Sequence, residues 1–340
     1  LGDLKVYPSK LRGHPKSLKE RLIFVMQAKA THLANSKGRD RNRKNKHTQN
    51  IPALLFLAPW IIGLLIFTAG PMLSSLYYSF TQYSLLSNPV WVGLKNYKTM
   101  FLGDPLFFTS VKVTFLYVLL ATPLKLITAL AVALLLNKGM KALGFYRSVY
   151  YIPSLLGGSV AIAMLWRQMF GSFGLVNQVL QLIGIENTTN WIGNPRYALY
   201  TLVILFAWQF GSPMIIFLAG IKQIPVQYYE AAHVDGAGKI LQFFHVTFPC
   251  LSPILFFNLI MQLITAFQSF TPAFIISNGS GGPLNSTMLY SLYLYQKAFS
   301  FMQMGYASAM AWVLLLMIGF FILCIFGSSK YWVHYGDGGI

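Results

Sequence analysis

Six apolar runs constrain this chain more than any other feature; they lie around 51–80, 107–136, 150–170, 197–220, 251–276 and 305–326. Each is near or above the roughly 20 residues that a helix needs to cross a bilayer. In hydrocarbon no water satisfies the backbone, so each run must close its own hydrogen bonds. The expected fold class is therefore an all-α integral membrane protein with six transmembrane helices. Of the 340 residues, 55% are hydrophobic and only 10% charged, a balance that excludes a soluble globule. All eight acidic residues (Asp3, Glu20, Asp40, Asp104, Glu186, Glu230, Asp235 and Asp337) fall outside the runs. Ion-coupled carriers commonly place carboxylates inside the membrane, so this pattern argues against a secondary transporter. The chain also has no phosphate-binding loop: Gly238-Lys239 lacks both the leading glycine and the following Ser or Thr. Any ATP-derived energy must arrive through a partner.

The formal net charge is +18, and 13 of the 26 Lys and Arg residues precede His47. A basic block beside a first span retains the terminus in the cytoplasm and meets anionic lipid, which explains it better than nucleic acid does. Within segment 1–50, Leu18, Leu22, Val25, Met26 and Leu33 recur near helical spacing among Lys16, Lys19, Arg21 and Lys29, so an amphipathic surface helix is expected. Residues 37–46 read as a solvated linker. The first apolar run is too long and too late for a cleavable signal and should remain as an anchor. Lys138, Lys141, Arg147, Lys222, Lys239 and Lys330 fall on the side of the basic N-terminus, and Lys95, Lys98, Arg196 and Lys297 on the other. Both termini are thus expected in the cytoplasm. Cys250 and Cys324 show no disulfide or metal spacing.

Polar side chains inside the runs are candidates for a solute path. Gln209 and Ser212 sit in the fourth; Asn258, Gln262, Gln268 and Ser269 in the fifth. Asn258 and Gln262 are four apart and share a helix face. Amides can hydrogen-bond sugar hydroxyls, and Phe267 and Phe270 can stack on sugar rings; equally, the amides could bind neighbouring helices. Lys125, beside Pro123, could meet an anionic or hydroxyl-rich substrate, or face a subunit interface.

Between the fourth and fifth runs lies a polar island, 221–249, containing EAAHVDGAGKILQFFHVTFP. Glu230, Ala231 and Ala232 begin a helix with little bulk, Asp235-Gly236 signals a turn, and Ile240, Phe243, Phe244, Val246 and Phe248 give a second apolar face. This E-A-A, D-G-A pattern, with Pro249 thirteen residues after Gly236, resembles the EAA loop of permease subunits in binding-protein-dependent ABC importers. LLLNKGMKALGFYRSVYYIPSLL at 134–156, NGSGGPLNST at 278–287 and YWVHYG at 331–336 extend the likeness over about 52–335. The chain is similar to the larger-type permease of carbohydrate importers of the maltose-transporter kind, without that subunit's large extracytoplasmic insertion, and to importers of oligosaccharides such as alginate.

The resemblance implies a type I ABC importer permease fold in three parts: a basic segment 1–50, a six-span domain 51–327 and a cytoplasmic tail 328–340. It implies that Glu230, Ala231, Ala232, Asp235, Gly236 and Ala237 couple to an ATPase, and that Gly281, Gly282, Pro283 and Asn285 help receive the binding protein. Implied partners are a second permease, two ABC ATPase subunits that bind ATP and Mg, an extracytoplasmic solute-binding protein and a carbohydrate. The permease itself would be no enzyme and hold no cofactor or metal. It would sit in the bacterial inner membrane. The alternative is an ATP-independent channel or facilitator, distinguished by uptake that persists without an ATPase.

Overall fold

The computed structural model describes residues 55–139, 142–185 and 189–334. The basic segment 1–50, with its expected amphipathic helix and linker, lies outside the described residues, as does the tail from 335. The chain separates into two compact units, one ending at Leu73 and one running from Ser74.

The described part of the first unit is most of helix α1 (Leu55–Ser79). Gly70-Pro71 suggests a break there, but the helix continues. Pro71 has no N–H to donate to the carbonyl four residues back, and a π turn over Leu65–Ala69 absorbs the fault, with the Gly70 amide bonding to the Leu65 carbonyl.

In the second unit, stretch 81–102 is regularly folded. Strands β1 (Thr81–Ser84) and β2 (Ser87–Trp91) form an antiparallel hairpin, pairing Thr81 with Trp91 and Gln82 with Val90. Helix α2 (Lys95–Leu102) follows. Its Asn96 amide donates to the carbonyls of Ser79 and Thr81, both at 2.9 Å, and the Tyr97 hydroxyl donates to Ser79 Oγ at 2.9 Å.

Helix α3 (Pro105–Leu136) is the central rod. Its 32 residues span about 48 Å, more than the roughly 30 Å hydrocarbon core. It starts where it does because Asp104 Oδ1 accepts from the amides of Leu106 (3.1 Å) and Phe107 (3.2 Å), and Pro105 at the first position needs no partner.

The third apolar run is not one straight span over 150–170. It starts earlier, as α4 (Leu143–Leu156), and turns by 95° into α5 (Val160–Met169). Gly157-Gly158 allows that corner and Ser159 recaps the chain, its Oγ accepting from the Ile162 amide. Helix α6 (Leu175–Leu182) is a short connection. The fourth run bends by 44° between α7 (Ala198–Trp208) and α8 (Gly211–Gln223).

After α9 (Val226–Val234), α10 (Lys239–Gln242) passes through a π turn over Phe243–Thr247 into α11 (Phe248–Phe267). Pro249 thus lies within a continuous helix. Helices α12 (Thr271–Ile276), α13 (Tyr290–Tyr295) and α14 (Met304–Trp332) complete the unit. Among the described residues, four helices are long and apolar enough to cross a membrane, and six if each bent pair counts as one. The six expected runs map onto these six.

The core forms where α3 meets α7, α8 and α11. Ala121, Ala129 and Ala133 of α3 are fully buried, and Gly220 of α8 faces Leu251 and Ile254, where a Cβ would collide with both. Small residues let helices approach closely, which is how membrane helices gain packing energy when lipid is as apolar as they are. At one end, α14 is tied to α11. Ser252 Oγ accepts the His334 amide at 2.8 Å, and the Phe256 ring meets Phe326 and Trp332.

Candidate substrate cavity and coupling surface

Three helix interruptions meet at one place. The α4–α5 corner and the α7–α8 bend are tied across each other: Gln209 Nε2 donates to the carbonyls of Gly157 (3.1 Å) and Leu205 (3.3 Å). Ser154 Oγ donates to the Gln209 carbonyl and accepts the Ser212 amide, both at 3.0 Å. A Cβ at Gly157 would overlap the Gln209 side chain, so only glycine permits this crossing. The third interruption, 268–270, separates α11 from α12. There the Tyr117 hydroxyl donates to Ser269 Oγ at 3.4 Å, and Ser291 Oγ donates to the Ser269 carbonyl.

Around these breaks lies a cavity of about 290 Å³, with Tyr117, Phe206, Gln209, Thr265, Gln268 and Phe270 in its lining. Among the described residues, no acidic side chain lines it. Amides and hydroxyls that both donate and accept, set beside aromatic faces, suit a polyhydroxylated ligand.

Of the residues singled out from sequence, Gln209 and Gln268 come together here, with Ser269 and Phe270. Asn258, Gln262 and Lys125 do not line this cavity. Asn258 is buried on α11 with both amide atoms unpartnered, and Gln262 is half-buried one turn further on. Phe267 is packed away on the Phe321 ring at 5.5 Å. Lys125 is buried, its Nζ 4.0 Å from the centroid of the Phe206 ring. Tyr117, Thr265 and Phe206 were missed. Tyr117 and Phe206 sit in unbroken apolar runs where nothing in the pattern separates them from core residues.

The 221–249 island folds as a helix–turn–helix. Asp235 ends α9 and Gly236 follows at φ +77°; its amide bonds to the His233 carbonyl and that of Ala237 to the Ala232 carbonyl. This closing motif needs a left-handed residue after the cap, which glycine supplies without strain. Gln242 Nε2 donates to the Ala237 carbonyl at 3.0 Å, and the hydroxyls of Tyr229 and Thr247 meet at 3.0 Å. Glu230, Ala231, Asp235 and Gly236 are exposed; Ala232 and Ala237 are half-buried. Exposed beside them are Val234 (86%) and Ile240 (78%), an apolar surface with no cover in the chain's described residues.

At the other end, Asp104 Oδ2 accepts the hydroxyls of Tyr293 (2.5 Å) and Tyr306 (2.6 Å) and pairs with Lys297 at 3.5 Å. Burial pushes this carboxyl up. The two hydroxyls, the Lys297 ammonium and the Phe107 amide outweigh it, so the group stays below the ordinary carboxylate range. Burial and the same carboxylate push the Tyr293 hydroxyl up. Nearby, the 278–287 loop turns through positive φ at Gly279, Gly281, Gly282, Leu284 and Asn285. Gly281 is buried under Met288, Pro283 and Asn285 are half-buried, and the tip presents Leu284, which is 86% exposed. A groove of about 290 Å³ beside it contains Arg167, Asn190, Gly282 and Pro283. Among the described residues, no three His, Cys, Asp or Glu side chains gather to hold a metal.

Residues 105–333 match the family described as the binding-protein-dependent transport system inner membrane component. The chain belongs to this family. The permease is 52% identical over 300 residues to the probable ABC transporter permease protein YesP of Bacillus subtilis, covering 88% of this chain and 97% of that one. It is 36% identical to the sulfoquinovosyl glycerol transport system permease SmoG of Agrobacterium fabrum, over 77% of this chain and 85% of the relative. It is 32% identical to the arabinooligosaccharides permease AraP of Bacillus subtilis, over 78% and 84%. In fold it resembles a chain of a bacterial alginate ABC transporter solved with a pentasaccharide-bound periplasmic protein. That likeness has a TM-score of 0.70 at 22% identity, over 83% of this chain and 95% of the other. The chain is thus a membrane transport component of the ABC permease kind, with sugar permeases among its relatives.

Proposed function

We propose that this permease carries a sugar or oligosaccharide, delivered by an extracytoplasmic binding protein, through the cavity at the three helix breaks. Transport is driven by ATP hydrolysed with Mg in separate ABC ATPase subunits. A second permease completes the pathway, and of the two ATPases one docks on Glu230–Ala237 and the α10 face of this chain. Both termini and the α9–α10 loop lie in the cytoplasm, with the 278–287 loop and its Gly281, Gly282, Pro283 and Asn285 on the receiving side. The observation that carries this reading is the lining of the cavity. Interrupted helices in transporters border solute sites, because irregular backbone is tolerated at membrane depth only beside a cavity or within protein. Here the interruptions present Gln209, Gln268 and the Tyr117 hydroxyl beside Phe270. The named relatives support the substrate class: arabinooligosaccharides for AraP, sulfoquinovosyl glycerol for SmoG and alginate for the fold relative.

The test is uptake of labelled sugars into proteoliposomes holding the full importer and its binding protein. Replacing Gln209 and Gln268 together by leucine should cut uptake at least tenfold while the complex still assembles. Unchanged uptake in that double variant would remove the cavity from the path. Uptake continuing at the wild-type rate without the ATPase would replace the importer by a facilitator.

A further inference from the structure

We infer that Lys125 selects cargo bearing carboxylates, such as uronic-acid oligosaccharides, and that Phe206 covers it between cargoes. The inference rests on the proposed role of the cavity as the cargo path. Lys125 lies in the interior of α3 and is only 5% exposed. Its ammonium has no carboxylate or hydrogen-bond acceptor among the described residues; the one ion pair found there joins Lys297 to Asp104. What it does meet is the ring of Phe206, at 4.0 Å. A buried cation is normally held by an opposite charge, because ring and backbone dipoles replace only part of its lost hydration. The three described acids, Asp104, Glu230 and Asp235, all lie outside the spans, so a permanent counter-ion does not come from them. A transient one comes from the cargo.

Position supports this. Phe206 belongs to the cavity lining, so the same ring that caps the ammonium borders the cavity. Lys125 is eight residues along α3 from Tyr117, about 12 Å toward the Leu136 end, the end where α9 and α10 lie. Its ammonium reaches Phe206, whose ring lies 5.9 Å from that of Tyr117, so it sits just behind the cavity wall that carries the neutral donors of Gln209, Gln268 and Tyr117. Those donors bind hydroxyls and would not distinguish an acid from its neutral ester. Lys125 would. The Asp104 end carries the same sign of charge: Lys95, Lys98 and Arg167 are exposed, whereas Asp104 is neutralised by Lys297. A like-signed approach raises the local concentration of anionic cargo.

The experiment measures direct binding to the assembled importer, purified in detergent without its binding protein. The probes are uronic-acid trimers to pentamers and their methyl esters, which keep the shape and remove the charge. Wild type should prefer the acid at least tenfold, Lys125→Arg should keep that preference, and Lys125→Met should lose it while binding the ester normally. Phe206→Leu uncovers the ammonium without removing it, and should keep or increase the preference; it serves if Lys125→Met does not assemble. Equal binding of acid and ester by wild type overturns the charge reading and leaves the cavity reading standing. So does a Lys125→Met complex that retains the preference, or one that loses acid and ester alike. Binding of neither probe by wild type overturns the cavity reading itself.

Discussion

At the Asp104 end, one carboxylate gathers two tyrosine hydroxyls, an ammonium and two backbone amides from residues up to 202 positions away. At the α9–α10 end, the bonds that shape the turn all close within 18 residues, and apolar side chains point outward. The first end is cross-linked and has spent its polar groups internally. The second is folded locally and still offers a surface. A segment whose hydrogen bonds are all local can shift without breaking distant ones; only the apolar contacts of Tyr229 and Val246 with the core cluster that includes Leu136 and Ile221 must slide. The knot at Asp104 fixes α3, α13 and α14 against each other, and any motion there would expose a carboxylate and its donors together.

The largest effect should come from cutting the knot. Asp104→Ala removes the cap of α3 and strands both hydroxyls and Lys297 at a half-buried site, and losing a cap together with hydrogen bonds to a charged group costs about 2–3 kcal/mol. Thermal denaturation of the purified subunit should show it; a change under about 1 kcal/mol would mean that packing alone holds this end.

Next is Gly236→Val. A side chain in the left-handed region costs about 1–2 kcal/mol, and here the strain falls on the turn between α9 and α10. Hydrogen exchange should rise over 226–247 and nowhere near Asp104, with ATP-driven uptake lost. Normal uptake would show that the turn's shape is not what the ATPase reads.

A smaller change in the free subunit is expected for Ile240→Ser, under about 0.5 kcal/mol because the side chain is already exposed. Its consequence should appear as weaker co-purification with the ATPase. A large loss of subunit stability instead would place Ile240 in a local core.

The subtlest difference is in acid. The Asp104 carboxyl is held below its ordinary value, so its stabilising contribution is complete above the unfolded pKa of about 4 and is lost as pH falls through the lowered value. Melting temperatures from pH 7 to 3 should show an acid limb in wild type that Asp104→Asn flattens. No such difference is expected between pH 8 and 5.

Span number and the helix–turn–helix at 230–249 were legible because both depend on local chemistry: long apolar runs, two alanines, one Asp-Gly. The hairpin over 81–91 was not, since its two strands are short and carry little alternation. The bends at 157–159 and 209–211 were not legible either: both lie inside apolar runs, and no spacing says that two bends about 50 residues apart cross at Gln209. Likewise Asp104 read as one more acid outside the spans. Its partners are tyrosines in two different segments, and only the fold brings them to it. Lys125 was conspicuous as a charge, but its covering by Phe206 depends on how α7 lies against α3.

The three interruptions around Gln209 have a mechanical consequence. A continuous helix transmits a push along its whole length, whereas a jointed one pivots. Because the joints adjoin around one cavity, a displacement of the α9–α10 end during the proposed cycle would act as rotation about a shared fulcrum. Near a fulcrum, atoms travel least while angles change most. In the proposed transport cycle, such a pivot would turn the opening of the cavity with little travel by Gln209, Gln268 and Tyr117, the side chains proposed to meet the cargo.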